Sequence, residues 1–170
     1  MNRLEKNYNV KIASIEEMEA KWNYEIKKHK SGNWKIWKDE AIERVKNGQS
    51  IAYYGILNGE IICEATAMFD KNIVQNHEGL IDEKTAYLCA FRTVEKYKRK
   101  GYFSKLFTFM LNNLKENGYE KVSLGVEPCE TENLEIYKHF GFNDYIKSAK
   151  ETYPDKTVID VDYYMKSLID

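Results

Sequence analysis

The sequence predicts an α/β fold: a mixed, mostly antiparallel sheet of about six or seven strands with helices on both faces. Two observations carry that prediction. Ile51 to Leu57, the pair Asn58-Gly59 and Glu60 to Phe69 read as two strands joined by a two-residue turn. Ala86 to Glu95 has strand character, passes through Lys98-Arg99-Lys100-Gly101 into a strongly amphipathic helix, and is followed by a further strand at Lys121 to Glu127. A strand–helix–strand unit needs a right-handed crossover and gives a parallel pair, whereas the hairpin gives an antiparallel one.

The elements follow in order. Tyr8 to Ala13 reads as a first strand. Ser14-Ile15-Glu16-Glu17 is a capping box, and Ile15, Met18, Trp22 and Ile26 then recur on one helical face. Ser31-Gly32-Asn33 breaks that helix. A second helix is expected from about Trp37 to Lys46, with Asn47-Gly48 as its stop. In the second hairpin strand Glu64 alternates with apolar neighbours, and the sequence favours a strand-edge glutamate near solvent over a substrate contact. Asp70 to Lys84 is polar and reads as a loop with room for a turn of helix. Phe103, Leu106, Phe107, Met110, Leu111 and Leu114 form the best amphipathic stripe in the chain, closed by Asn117-Gly118. Pro128 stops the strand that follows. Thr131 to Phe140 is a short helix ended by Gly141, and Phe142 to Lys150 and Thr157 to Met165 are two more strands.

Composition narrows the function classes. At 170 residues the chain reads as a single domain, residues 1–170. A net charge of −1 provides no field for nucleic acid or an anionic membrane. Mean hydropathy is −0.64 and the apolar runs are too short to span a bilayer. Met1 to Lys6 lacks the apolar core of a signal peptide. Cys63, Cys89 and Cys129 fit neither a disulfide framework nor a zinc site, which points to a reducing cytoplasm. His29, His77 and His139 have no ligand spacing, so no metal is expected.

The most informative stretch is Lys98-Arg99-Lys100-Gly101-Tyr102-Phe103-Ser104-Lys105. A turn that opens a helix after a strand presents backbone N–H groups with no internal partner, and the helix dipole adds positive charge there. That is a phosphate site in outline. Gly101 permits a positive φ or a close ligand. Lys96, Lys98, Arg99, Lys100 and Lys105 surround it with positive charge.

This order, with a basic glycine turn after the fourth strand, resembles the GNAT superfamily of N-acetyltransferases. The family signature is arginine or glutamine, two residues, glycine, one residue, then glycine or alanine. Here it reads Lys98-Arg99-Lys100-Gly101-Tyr102-Phe103, with lysine opening it and phenylalanine closing it. The second signature is a tyrosine four residues before a Gly-Phe pair, matched by Tyr137-Lys138-His139-Phe140-Gly141-Phe142. Where the family usually carries asparagine, seven residues before that tyrosine, this chain has Glu130; Asn133 is a candidate for the same cofactor contact.

The resemblance implies acetyl-CoA as donor, a primary amine on a small molecule or peptide as acceptor, and direct attack in a ternary complex. It implies that the amides of Arg99 to Ser104 hold the pyrophosphate, with the lysines meeting phosphate oxygens. It also implies a bulged strand whose backbone at Phe91, Arg92 and Thr93 pairs with pantetheine, and Tyr137 as general acid to the departing thiolate. An alkyl ammonium has a pKa of about 10.4, so a proton route helps. Glu127, at a strand end before Pro128, is the first candidate base, acting through water, with Glu95, Glu64 or water alone as alternatives. A second function class is a non-catalytic acyl-CoA-binding or partner-binding module of the same fold. Nucleic acid and membrane are not expected as partners, and a homodimer is left open.

Overall fold

The computed structural model describes residues 5–170. Met1 to Leu4, part of the segment read above as lacking a leader, lie outside the described residues. The elements are β1 (Tyr8–Ile12), α1 (Ile15–Lys28), α2 (Asn33–Lys46), β2 (Ser50–Leu57), β3 (Glu60–Met68), β4 (Thr85–Thr93), α3 (Tyr102–Glu116), β5 (Lys121–Val126), α4 (Thr131–His139), β6 (Asp144–Thr152) and β7 (Val158–Ser167). Single 3-10 turns lie at Lys71–Ile73 and Glu95–Tyr97. The strands form one seven-stranded sheet in the order β1-β2-β3-β4-β5-β7-β6. β4 and β5 pair in parallel, and β1–β2, β5–β7 and β6–β7 pair antiparallel. This is the mixed sheet the sequence predicts.

The chain forms two compact units: residues up to Ala67 with Ala90–Asn113, and Met68–Cys89 with Leu114–Asp170. In the first, neighbouring residues of β2 point to opposite faces, as strand geometry requires. Tyr53 stacks edge-on against Phe109 of α3 and donates to Asn113 Oδ1 at 2.6 Å. Tyr54 instead joins Met18 and Trp22 of α1 and Ile42 of α2 in a buried cluster. Helices therefore cover both faces of this part of the sheet. The predicted capping box at the start of α1 is complete, Glu17 N–H bonding Ser14 Oγ at 3.1 Å and Ser14 N–H bonding Glu17 Oε1 at 2.8 Å. The hairpin turn residues Asn58 and Gly59 both take positive φ, 51° and 81°.

Several boundaries differ from expectation: β6 runs Asp144–Thr152 rather than Phe142 to Lys150, and β7 ends at Ser167 rather than Met165. α2 begins at Asn33 rather than near Trp37, because Ser31 and Gly32 start the helix instead of merely ending the previous one. Asn33 N–H bonds Ser31 Oγ at 3.2 Å, and Trp34 then packs edge-on against Trp37. β4 ends at Thr93, and Glu95 stands in the 3-10 turn rather than in the strand.

In the second unit the core is Val74, Leu80, Tyr87, Val161 and Tyr163. The polar loop expected between Asp70 and Lys84 is tied to β6 by its own side chains. Gln75 Nε2 donates to the Thr152 carbonyl at 3.0 Å, and Asn76 Nδ2 donates to the Lys150 carbonyl at 2.8 Å. Cys63, Cys89 and Cys129 are free. Among the described residues no helix is long and apolar enough to cross a membrane.

Candidate active site

In the first unit the site is built on the end of β4 and the turn beyond it. Ala90 takes a φ of 57° inside the strand. A left-handed alanine costs about a kcal/mol or more, so it persists where its surroundings fix it. Nothing in an alanine's side chain announces such a kink. Just beyond it the side chains are anchored on both faces. Phe91 packs on Phe103 and Phe107 of α3, ring centroids 5.8 and 5.5 Å away. This gives a physical reason for the phenylalanine that closes the glycine turn: it is an aromatic strut between α3 and β4. Arg92 goes to the other side, where its guanidinium carbon lies 5.0 Å from the ring centroids of both Trp22 and Trp34.

The turn itself has two residues in the left-handed region, Arg99 at φ 61° and Gly101 at φ 95°. The first intrahelical bond of α3 is Lys105 N–H to the Gly101 carbonyl, 3.1 Å. The N–H groups of Tyr102, Phe103 and Ser104 thus lie ahead of the helical ladder, at the positive end of its dipole. Tyr102 is buried and fastens the turn to β1: Tyr8 Oη donates to its carbonyl at 2.7 Å, and the two rings meet edge-on at 4.7 Å. Lys98, Arg99, Lys100, Gly101, Ser104 and Lys105 are exposed. This backbone fits a diphosphate: clustered N–H donors, exposed cations and a glycine where a positive φ is needed. Lys98 is paired with Glu95 at 2.9 Å. That partner holds the Glu95 carboxyl below the usual carboxylate range, which makes Glu95 a poor base.

Glu64 departs from expectation. It is 2% exposed, not near solvent. Its Oε1 accepts from Arg92 Nη2 at 2.9 Å, and Lys21 Nζ lies 3.8 Å from its Oε2. Lys21 also pairs with Glu25 at 3.0 Å. A carboxylate so matched by cations is a structural counter-ion.

In the second unit a tight turn joins β5 to α4, closed by Glu130 N–H to the Glu127 carbonyl at 2.9 Å with Pro128 second in the turn. The turn brings two carboxyl groups together. The hydrogen bond from Glu127 to Glu130 raises the Glu127 pKa, with burial and the neighbouring charge adding to it. Glu130 also accepts from Asn133 Nδ2 at 2.5 Å. Asn133 is therefore engaged with the acidic residue that stands where the family's asparagine would be. Tyr137 of α4 is buried, its phenol pKa pushed well up by burial and then by the charge of Glu130. Its carbonyl accepts from Phe142 N–H at 3.1 Å, so the Gly-Phe pair closes the helix. Glu130 thus acts electrostatically on both Glu127 and Tyr137. The sequence singled out Glu127 and Tyr137. The signal for Glu130 was present: two acids three residues apart around a proline turn. Among the described residues no cluster of side chains could hold a metal ion.

The seven-stranded mixed sheet with its four helices is the GNAT acyl-CoA N-acyltransferase fold. The chain belongs to the acetyltransferase (GNAT) family, whose model matches residues 12–142. No curated protein matches. Solved structures share the fold. A probable acetyltransferase from Staphylococcus epidermidis ATCC 12228 aligns with a TM-score of 0.71 at 13% identity, covering 94% of this chain and 98% of its own. The ribosomal-protein-S18-alanine N-acetyltransferase from Escherichia coli gives 0.69 at 14% identity, covering 96% and 95%. A putative acetyltransferase from Salmonella typhimurium, solved with its cofactor acetyl-CoA, gives 0.69 at 12% identity, covering 97% and 96%.

Proposed function

We propose that this protein is an acetyl-CoA-dependent N-acetyltransferase that modifies a primary amine by direct attack in a ternary complex. The observation that carries the reading is the turn at Arg99–Gly101, two left-handed residues opening a helix whose first N–H groups precede its ladder. In this reading the amides of Arg99 to Ser104 bind the diphosphate of acetyl-CoA, and Lys98, Arg99 and Lys100 meet its phosphate oxygens as charges. Gly101 provides the conformation, while Tyr102 and Phe103 brace the turn through β1 and β4. The backbone of Phe91, Arg92 and Thr93 receives the pantetheine arm.

The donor supplies a thioester whose carbonyl carbon takes the amine nitrogen and whose carbon–sulfur bond breaks, leaving an amide and CoA thiol. Glu127 takes the amine proton, directly or through water. Its raised pKa makes it a better base than an ordinary exposed glutamate. Tyr137 remains protonated through neutral pH and donates to the sulfur as charge develops there. Asn133 acts by orienting Glu130. The Escherichia coli relative acts on a protein alanine and supports an amine acceptor here. A small-molecule amine and a peptide amine both fit this chemistry. Cytoplasmic location is part of the same reading, since all three thiols are free.

A non-catalytic acyl-CoA-binding module is the second reading, favoured by one observation: the asparagine near the usual cofactor position is held by Glu130. Isothermal titration with acetyl-CoA, paired with a thiol-release screen over amines, separates them. Binding with release supports the enzyme, binding without release across the panel supports the module, and no binding contradicts both.

A further inference from the structure

The four charges of Lys21, Glu25, Glu64 and Arg92 lie in the first unit against α1, α2, β3 and β4. Lys21 and Glu64 are each no more than 4% exposed at the side chain, and Arg92 is 24% exposed. The set is balanced, two cations against two anions. It is not fully satisfied: Glu64 Oε2 and Arg92 Nε are buried and have no hydrogen-bond partner. Buried ion pairs with unmet hydrogen bonds contribute little to stability compared with apolar packing. Their strongest effect here is on where Arg92 can be. Its guanidinium carbon lies 5.0 Å from the ring centroids of both Trp22 and Trp34, which are themselves neighbours 6.2 Å apart and tilted by 54°, and Nη2 bonds Glu64. His29 stacks on the far partner, its ring 3.9 Å from that of Trp34 and 6° from parallel, and bonds Glu25 at 3.1 Å. The side chain is thus held by an aromatic pair on one side and by the Glu64 carboxylate at Nη2.

Fixing that side chain fixes the backbone it hangs from. Phe91 to Thr93 directly follow Ala90, whose left-handed φ takes the strand out of regular geometry. Phe91 ties this segment to α3 on one face, through Phe103 and Phe107. Arg92 ties it to α1 and α2 on the other.

We propose that Arg92 is a positioning residue: the adjacent rings of Trp22 and Trp34, together with Glu64, hold its side chain so that the peptide groups of Phe91 to Thr93 stand in register for the acyl-carrying arm of acetyl-CoA. The proposal rests on the reading of the Arg99–Gly101 turn as the acetyl-CoA site. It assigns the nucleotide half of the ligand to that turn and the arm to a backbone set by Arg92.

The two halves are separable in a binding experiment. Isothermal titration is made with acetyl-CoA and with 3′-phosphoadenosine 5′-diphosphate, which lacks the arm, on the parent and on Arg92→Lys. Lysine keeps the charge and loses the planar fork that meets Glu64 and the two indole rings. Acetyl-CoA affinity should fall about tenfold in the variant while affinity for the nucleotide stays within about twofold, the scale of one desolvated cation–π and charged contact. Equal losses for both ligands, or no loss for either, overturn the proposal and leave the turn as the cofactor site. A parent that binds neither ligand overturns both readings at once. Should Arg92→Lys not fold, the parent answers by fluorescence. All the tryptophans of the chain, Trp22, Trp34 and Trp37, belong to this cluster. Saturating acetyl-CoA should change their emission where the nucleotide does not, and emission unchanged by acetyl-CoA overturns the proposal.

Discussion

Glu130 N–H donates to the Glu127 carbonyl at 2.9 Å, closing the turn that holds Pro128 and Cys129 and bringing the two carboxyl groups together. Two carboxylates this close disfavour losing both protons, so the Glu127 pKa rises above the ordinary glutamate value. Glu127 works as a base only when ionised. Activity therefore falls as pH drops through that raised pKa. Glu130→Gln removes the charge and leaves a donor facing Glu127, which lowers the Glu127 pKa. The acidic limb of the kcat/KM profile should move to lower pH in Glu130→Gln and disappear in Glu127→Gln. A limb that stays in place in both variants assigns the proton transfer to water alone.

Tyr137→Phe keeps the buried ring and deletes the hydroxyl. A positioned general acid contributes about 10²–10⁴-fold, and the low end is expected because water can stand in for the phenol. Turnover should drop about 10²-fold with acetyl-CoA affinity unchanged. Burial holds the phenol protonated well above neutral pH, so this group does not set the parent's basic limb. Melting temperature read on the same variant distinguishes a catalytic from a packing role. A large fall in melting temperature with turnover intact makes Tyr137 a core tyrosine.

Glu64→Ala leaves Lys21 and Arg92 without their shared anion. Removing one partner of a buried pair costs on the order of 3 kcal/mol, reduced here because the Arg92 guanidinium is a quarter exposed. Urea unfolding should show a lower midpoint with an unchanged slope. Unaltered stability would mean that Glu25 alone neutralises both cations.

Much of the fold was legible because its signals are local. The capping box at Ser14, the Asn58-Gly59 turn and the apolar stripe of α3 each lie within a few residues of chain and each appears where the pattern put it. The start of α2 was not, because Ser31-Gly32-Asn33 can end one helix or begin another, and the packing of Trp34 decides between them. Glu64 was misplaced for a related reason. Alternation along β3 gave its apolar neighbours, but its cations come from α1 and β4, which no pattern within β3 reveals. The kink at Ala90 has no signature in an alanine. At the candidate site the glycine turn and Tyr137 were visible as motifs, whereas Glu130 was visible only as a departure from one. Its pairing with both Glu127 and Asn133 depends on the turn geometry.

The most direct test of the account is acetyl-CoA binding to the Arg99–Gly101 turn. Gly101 has a φ of 95°, which any side chain strains, and glutamate there adds bulk and negative charge where the diphosphate is expected. Acetyl-CoA at 100 times its Kd should stabilise the parent by about 2.7 kcal/mol, seen as a raised melting temperature. In Gly101→Glu, folded by circular dichroism, that shift should be lost. A folded Gly101→Glu protein that keeps the full shift would contradict the claim that this turn holds the cofactor.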